Sequence, residues 1–330
     1  MNETQVQKLP VIVIFAPTAS GKTALTKELF APGGSHFILN AEIISADSQA
    51  VYKGMNIGTA KPESELRTIL PHHLIDILTP DQQYNVSDFV DDADRACKEI
   101  FSRGKIPVVC GGTGFYIRNF LYGVAPTPVS DPELRERLKS RIETEGNEAL
   151  YKELKAIDPQ SAARIHPNDA YRICRALEVY YLSGKTRSEF AIKPGLRPQY
   201  DFTFIVLEPP RNLLYERINH RVDQMIEQGL EDEIQSLLKS GYTKESPGLK
   251  AIGYHEWFEY PERLQAIETI KHNSRKYAKK QYTYLRNIPG SKIIKYEGKP
   301  EQIKDISLYI KTFIQQFSFP LNKVHTQVMQ

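Results

Sequence analysis

Residues 11–23 read Val-Ile-Val-Ile-Phe-Ala-Pro-Thr-Ala-Ser-Gly-Lys-Thr, and this stretch decides the fold. Val11–Phe15 is a short apolar run rich in β-branched residues, which predicts a buried strand. A loop of small residues follows and ends in Gly21-Lys22-Thr23. Beyond it Leu25, Leu29 and Phe30 recur with helical spacing. Strand, loop, GKT and helix are the parts of a phosphate-binding loop, or P-loop. The loop of residues 16–23 (Ala16, Pro17, Thr18, Ala19, Ser20, Gly21, Lys22, Thr23) forms an anion nest from its inward-pointing backbone N–H groups, which every residue but Pro17 carries, and the helix adds its positive N-terminal end. Lys22 supplies a point charge to phosphate oxygens, and the Thr23 hydroxyl can hold Mg²⁺. Ala16 stands where the common pattern has a glycine for backbone freedom. The loop predicts a bound di- or triphosphate without saying what carries it.

Working outward, further strands are predicted at Glu42–Ser45, Leu74–Ile77 and Pro107–Cys110, with helices at Lys22–Phe30, Ser87–Ser102 and Gly114–Leu121. This alternation predicts an α/β fold: a P-loop NTPase-like parallel sheet flanked by helices. Gly-Val-Ala-Pro-Thr-Pro-Val from Gly123 reads as a linker, and Ser130-Asp-Pro-Glu133 as the capping-box start of a helix. The next stretch is almost wholly helical and charged. At Phe202–Leu207 a strand-like run returns, followed by helical patterns at 211–228, 230–240, 262–287 and 301–317. The expected organisation is a catalytic core from 1–124 and 200–330, interrupted by a helical insertion domain at 125–199.

The 330-residue chain is 41% hydrophobic and 25% charged, which suits a globular protein with ample core. Its net charge is only +3, so a nucleic-acid surface has to come from local clustering. Cys97, Cys110 and Cys174 have neither zinc spacing nor a disulfide pattern. With no signal-peptide form at Met1–Pro10 and no membrane-length apolar run, a cytoplasmic location without membrane association is expected.

Three other constellations bear on chemistry. Ile43-Ile44-Ser45-Ala46-Asp47 runs a strand into a carboxylate, which in an open sheet faces the P-loop. Asp47 can act as a general base, cap a helix, or hold Mg²⁺ through water. Val108–Gly114 ends a strand in a glycine-rich turn, read either as a close approach to ligand or as a tight turn alone. An NTPase of this fold places an Asp on a strand to hold Mg²⁺. Among the strands predicted before the linker, only the one before Asp47 runs into a carboxylate at its carboxyl end. Arg172 and Arg175 share a helix face and can grip phosphates or pair with Glu178. Arg217 and Arg221 likewise can clamp an anion or pair with Glu216. Residues 271–286 carry Lys271, Arg275, Lys276, Lys279, Lys280 and Arg286 with no acidic residue, interleaved with Tyr277, Tyr282 and Tyr284. That is the local footprint of a nucleic-acid backbone reader, or a solvated basic helix.

Taken in order, APTASGKT (16–23), ISADSQ (44–49), VYKGMNIGTAKP (51–62), HHLIDI (72–77), YNVSDF (84–89), GGTGFY (111–116), SDPELRERL (130–138), RALEVY (175–180), RINHRVDQMIEQGL (217–230), LKAIGY (249–254) and SRKYAKKQYTYLR (274–286) resemble the bacterial tRNA dimethylallyltransferase family. The tail from about 290 carries no such motif. The resemblance implies a P-loop that holds dimethylallyl diphosphate rather than a nucleotide. The dimethylallyl group passes to the exocyclic amine of adenosine 37 in tRNA. It implies that Thr18, Ser20, Gly21, Lys22 and Thr23 hold the diphosphate with Mg²⁺ at Thr23, that Arg221 and His255 add to this site, and that Asp47 is the general base. It further implies that Asp47, Ser48, Gln49 and Ala50 line the adenine pocket. Thr113, Arg135, Tyr171, Arg172, Arg175, Arg275, Lys279, Lys280 and Gln281 would contact the anticodon stem-loop of a tRNA bound to a monomer. The family usually has Gly at Ala16, Lys or Arg at His255, and Thr and Trp at Ser274 and Tyr284. Competing readings are an adenylate isopentenyltransferase acting on free AMP, a P-loop small-molecule kinase, and a tRNA-binding protein without activity. The helical insertion favours an enzyme acting on tRNA over one acting on AMP.

Overall fold

A computed structural model describes residues 8–192, 195–285, 288 and 290–317. The chain divides into two compact units, one built from residues up to Leu121 and from Leu196 onward, the other from Tyr122–Gly195.

The first unit is built on six parallel strands: β1 (Leu9–Phe15), β2 (Ala41–Ala46), β3 (His72–His73), β4 (Ile106–Gly111), β5 (Tyr200–Glu208) and β6 (Lys292–Lys295). They lie in the order β3-β2-β4-β1-β5-β6. Val11–Phe15 is buried on both faces, which explains why the run is continuously apolar rather than alternating. Its helices are α1 (Lys22–Phe30), α2 (Ser64–Ile69), α3 (Val86–Ser102) and α4 (Gly114–Tyr122), the last running one residue into the second unit. On one face of the sheet, Leu25, Leu29 and Phe30 of α1 pack with Ile12, Ile14 and Val108 in a single apolar cluster. Helix α3 starts in a capping box, with Asn85 accepting from the amides of Ser87 and Asp88 while Asp88 accepts from Asn85 N. No described helix is long and apolar enough to cross a membrane.

The second unit is helical: α5 (Pro132–Glu145), α6 (Asn147–Ile157), α7 (Pro159–Ala162) and α8 (Ala170–Ser183). Leu138, Leu150, Leu154, Ile173 and Leu177 form its core. Asp131, not Ser130 as the capping-box reading expects, caps α5 through Leu134 N, with Pro132 in the first turn, while the Ser130 hydroxyl donates to Glu178 instead. The first unit is completed by α9 (Arg211–Glu227), α10 (Leu230–Lys239), α11 (Glu256–Glu259), α12 (Arg263–Leu285) and α13 (Pro300–Ile314).

Two strand expectations are corrected. Leu74–Ile77 is not a strand. Leu74 (φ 62°) and Asp76 (φ 57°) are left-handed, which breaks extended pairing, and only His72–His73 pair with β2. The FTFIVL run also extends further than expected, so β5 ends in a second strand-terminal carboxylate, Glu208. That carboxylate is buried and pairs with Lys295 of β6, and it does not line the cavity described below. The pairing register sets Phe15 opposite Gly111 and Ala46 opposite the same residue. Three loops therefore leave the carboxyl ends of β1, β2 and β4 at one level, where an open α/β sheet binds ligand.

Candidate functional site

Those loops enclose a cavity of about 570 Å³ within the first unit. Its floor is the P-loop. Gly21 (φ 90°) is the N-cap of α1 and offers no side chain, so the first amides of that helix stay open to a ligand. Ala16 is buried and outside the left-handed region. The positive φ values of the loop fall at Ala19 (58°) and Gly21. The backbone freedom a glycine would supply is therefore not needed at Ala16. Ser20 Oγ donates to Pro17 O at 2.7 Å, and Lys22 Nζ donates to Ala16 O and Pro17 O at 2.9 and 2.8 Å. Ala16 and Pro17 shape the loop through these carbonyls and do not themselves line the cavity.

Lys22 and Arg221 both face this space, and neither forms an ion pair among the described residues. Burial pushes the Lys22 ammonium down to about 8, and lowers Arg221 as well, while the charge of Asp47 acts on both in the opposite direction. Arg221 reaches in from α9, donating to Thr18 Oγ1 at 3.2 Å and to the Ala60 carbonyl at 3.4 Å. It does not pair with Glu216. Its neighbour Arg217 turns away to the Glu297 carbonyl at 2.7 Å.

Asp47 leaves β2 and lines the cavity. Its Oδ1 accepts from Gln49 N at 2.9 Å and Ala50 N at 3.4 Å, so the side chain caps its own turn while facing the two cations. Ser48, Gln49 and Ala50 continue the wall, and Gln49 Oε1 is buried there with no hydrogen-bond partner. Thr113 stands behind this turn, its Oγ1 accepting from Ser48 N at 3.0 Å, and does not line the cavity.

The glycine-rich turn after β4 serves close packing. A Cβ on Gly111 would meet Ala46 O at 2.1 Å, and one on Gly112 would meet Gln281 Nε2 at 2.7 Å. Gln281 is buried on α12 and bridges two loops: its Oε1 accepts from Thr18 N at 3.2 Å and its Nε2 donates to Gly112 O at 2.6 Å. It thus acts on the cradle itself, a role its sequence assignment to tRNA contact missed. Ser274 and Tyr277 of the same helix also line the cavity. The sequence pattern places Tyr277 only in the basic stripe. Burial, with the charge of Asp47 acting the same way, pushes its phenol up to about 12.

Other expected residues lie elsewhere. His255 does not line the cavity; its Nδ1 lies 3.0 Å from Ala251 O and 3.3 Å from the buried Glu256 carboxylate. Arg275 donates to Asn219 Oδ1, whereas Lys279 and Lys280 are exposed on α12. Arg286 lies outside the described residues. In the helical unit, Arg175 donates to the buried Glu178 carboxylate at 2.7 Å and to Pro128 O at 2.7 Å. Arg135 pairs with the same carboxylate at 3.1 Å and lies over the exposed Tyr171 ring. Arg175 is therefore a structural tie, the Glu178 option of the sequence reading. Arg172 stays exposed and pairs with Asp169. All three cysteines are free, and Cys110 lines the cavity.

Among the described residues no group of three or more His, Cys, Asp or Glu could hold a metal. The cavity instead offers the exposed Thr23 hydroxyl and the Asp47 carboxylate. That donor set fits Mg²⁺, which binds through few protein oxygens plus phosphate and water.

Comparison with known proteins gives a consistent result. The profile of the IPP transferase family matches residues 50–288. A tRNA dimethylallyltransferase of Geobacter sulfurreducens is 40% identical over 306 residues, covering 91% of this chain and 96% of the relative. One from Bacillus velezensis is 45% identical over 286 residues, covering 85% and 89%. Among solved structures, the tRNA isopentenylpyrophosphate transferase of Bacillus halodurans superposes with a TM-score of 0.66 at 36% identity, covering 94% of this chain and 98% of that one. A eukaryotic dimethylallyltransferase acting on tRNA superposes with a TM-score of 0.79 at 28% identity, covering 94% and 81%.

Proposed function

Since the chain belongs to the IPP transferase family and acts as a tRNA dimethylallyltransferase, we propose that its cavity binds dimethylallyl diphosphate and receives the adenosine at tRNA position 37. The observation that carries this reading is the pair of cations, Lys22 and Arg221, facing one cavity without an ion-pair partner among the described residues. Such cations call for an anionic ligand, and the open amides of α1 add to the same demand.

In the proposed reaction the adenine N6 attacks C1 of the dimethylallyl group as the C1–O bond to diphosphate breaks. Lys22, Arg221, Thr18 and the α1 amides meet the charge that builds on the departing diphosphate. Thr23 would hold Mg²⁺, which when bound neutralises charge on the diphosphate oxygens. Asp47 takes the N6 proton; a positioned base of this kind contributes ~10²–10⁴-fold. The unpartnered Gln49 Oε1 is suited to accept the second N6 hydrogen. Entry of the base requires that it leave the anticodon loop stack. Lys279 and Lys280 on α12, and separately Tyr171 and Arg172 on the helical unit, offer surfaces for the anticodon stem-loop. Phosphate contacts there position the tRNA without reading its sequence.

The test combines purified protein, Mg²⁺, labelled dimethylallyl diphosphate and tRNA lacking the modification. Label is expected in tRNA and lost when adenosine 37 is replaced by guanosine. Label entering AMP but not tRNA would overturn the acceptor assignment, and consumption of ATP would favour a kinase.

A further inference from the structure

One wall of the cavity is formed by Thr59, Ala60, Lys61 and Pro62. The loop that carries them is pinned from two sides by opposite charges. The amides of Asn56, Ile57 and Gly58 all donate to the carboxylate of Glu233 on α10, at 2.8, 2.9 and 3.2 Å. The Tyr254 hydroxyl donates to it too, at 2.6 Å. Successive amides converging in this way form an anion nest, and the anion here is the chain's own side chain. On the carbonyl side, Lys61, its side chain only 2% exposed, donates to Tyr52 O, to Asn56 Oδ1 at 3.2 Å and to Asp76 Oδ1 at 2.6 Å. Between the two clamps Ala60 is held at φ 50°, a conformation alanine disfavours. Its carbonyl in that orientation is the one that accepts from Arg221, whose other terminal nitrogen reaches Thr18. Glu233 itself does not line the cavity.

We propose that Glu233 is a positioning residue for the transfer reaction. By filling the amide nest at 56–58 it fixes the Ala60 carbonyl, which in turn aims Arg221 at the leaving group. This inference rests on reading the cavity as a diphosphate site. Glutamine cannot stand in for Glu233. Its amide has one acceptor oxygen, and its NH₂ group would confront amide donors.

The experiment compares wild type, Glu233→Gln, Arg221→Lys and the double variant, with inorganic diphosphate as the binding probe and steady-state turnover on unmodified tRNA. Glu233→Gln should weaken diphosphate binding and lower kcat, each by roughly 10-fold, while the KM for tRNA changes by less than about twofold, as expected when a remote change misplaces one reacting-site group. In the Arg221→Lys background, Glu233→Gln should add less than about twofold, because residues acting as one unit are non-additive. Full additivity, or a change confined to the KM for tRNA, would overturn the proposal. Failure of wild type to bind diphosphate would instead sink the reading of the cavity, whereas equal binding by wild type and Glu233→Gln would sink the positioning role alone. Should Glu233→Gln not fold, Tyr254→Phe removes one of the four donors to the carboxylate. It is expected to reproduce the pattern at smaller amplitude, and unchanged diphosphate binding in that variant counts against the proposal.

Discussion

Raising the pH should switch off Lys22 well before an ordinary lysine would titrate. Burial, reinforced by Arg221 and opposed by Asp47, pushes its ammonium down to about 8. Only the charged form can attract a diphosphate. With that pKa the protonated fraction falls from ~0.9 at about pH 7 to ~0.1 at about pH 9, whereas an ordinary lysine stays ~0.97 protonated at the higher pH. Affinity for inorganic diphosphate should therefore fall ~10-fold, or ~1.4 kcal/mol, across that interval. Calorimetric titration at both pH values measures this, and the ratio to Lys22→Met cancels the ligand's own ionisation. Near pH 9, repeating the titration in buffers of different ionisation heat should show uptake of nearly one proton per diphosphate bound. Stability of the ligand-free chain carries the matching sign. Between about pH 8 and the unfolded value of 10.5 the unfolded chain holds the proton and the folded chain does not, so stability rises with pH in that window. Lys22→Met should abolish the rise. A pH-independent affinity ratio with no proton uptake would refute the claim that this lysine is buried without an ion-pair partner.

Three further outcomes are expected. Asp47→Asn keeps an oxygen to cap the Gln49 amide, so single-turnover transfer should drop ~10²–10⁴-fold with diphosphate binding retained; intact turnover would remove Asp47 as the base. Glu42, buried at the start of β2, has its carboxyl raised by burial but held down to about 2 overall by hydrogen bonds from Lys105, Arg103 and His73. Its contribution, ~3 kcal/mol, is present above the unfolded value of 4.5 and lost as pH falls toward about 2. Glu42→Gln should flatten acid denaturation over that range. Lys279→Ala with Lys280→Ala should reduce the salt slope of tRNA binding by ~2, since each phosphate contact contributes about one counterion. An unchanged slope would take these lysines out of the interface.

Much of the sheet was legible because its strands are buried and β-branched, as at Val11–Phe15, where composition and burial agree. Leu74–Ile77 misled because an apolar run carries no mark of the left-handed φ at Leu74 and Asp76. The strand Lys292–Lys295 was missed because it is short, largely exposed at the sheet edge and flanked by charge. In the site, the P-loop and Asp47 were readable since backbone chemistry fixes their spacing. Partner choice was not readable: Arg175 with Glu178, Arg221 with Thr18, and Gln281 between Thr18 and Gly112 are each settled by three-dimensional proximity. Ala16 looked like a defect because sequence shows which residue is replaced but not which φ it must adopt.

The bridge made by Gln281 has a mechanical consequence. Lys279 and Lys280 precede it on the same helix, where each residue advances the axis by ~1.5 Å. A rigid helix transmits a push along its length, so a polyanion that tugs on those lysines also tugs on the amide of Thr18 and the carbonyl of Gly112. Acceptor docking and donor retention then share one lever. On the proposed reading the coupling is reciprocal: whatever nucleic-acid docking does to the grip on the small substrate, the small substrate does by the same factor to the affinity for nucleic acid.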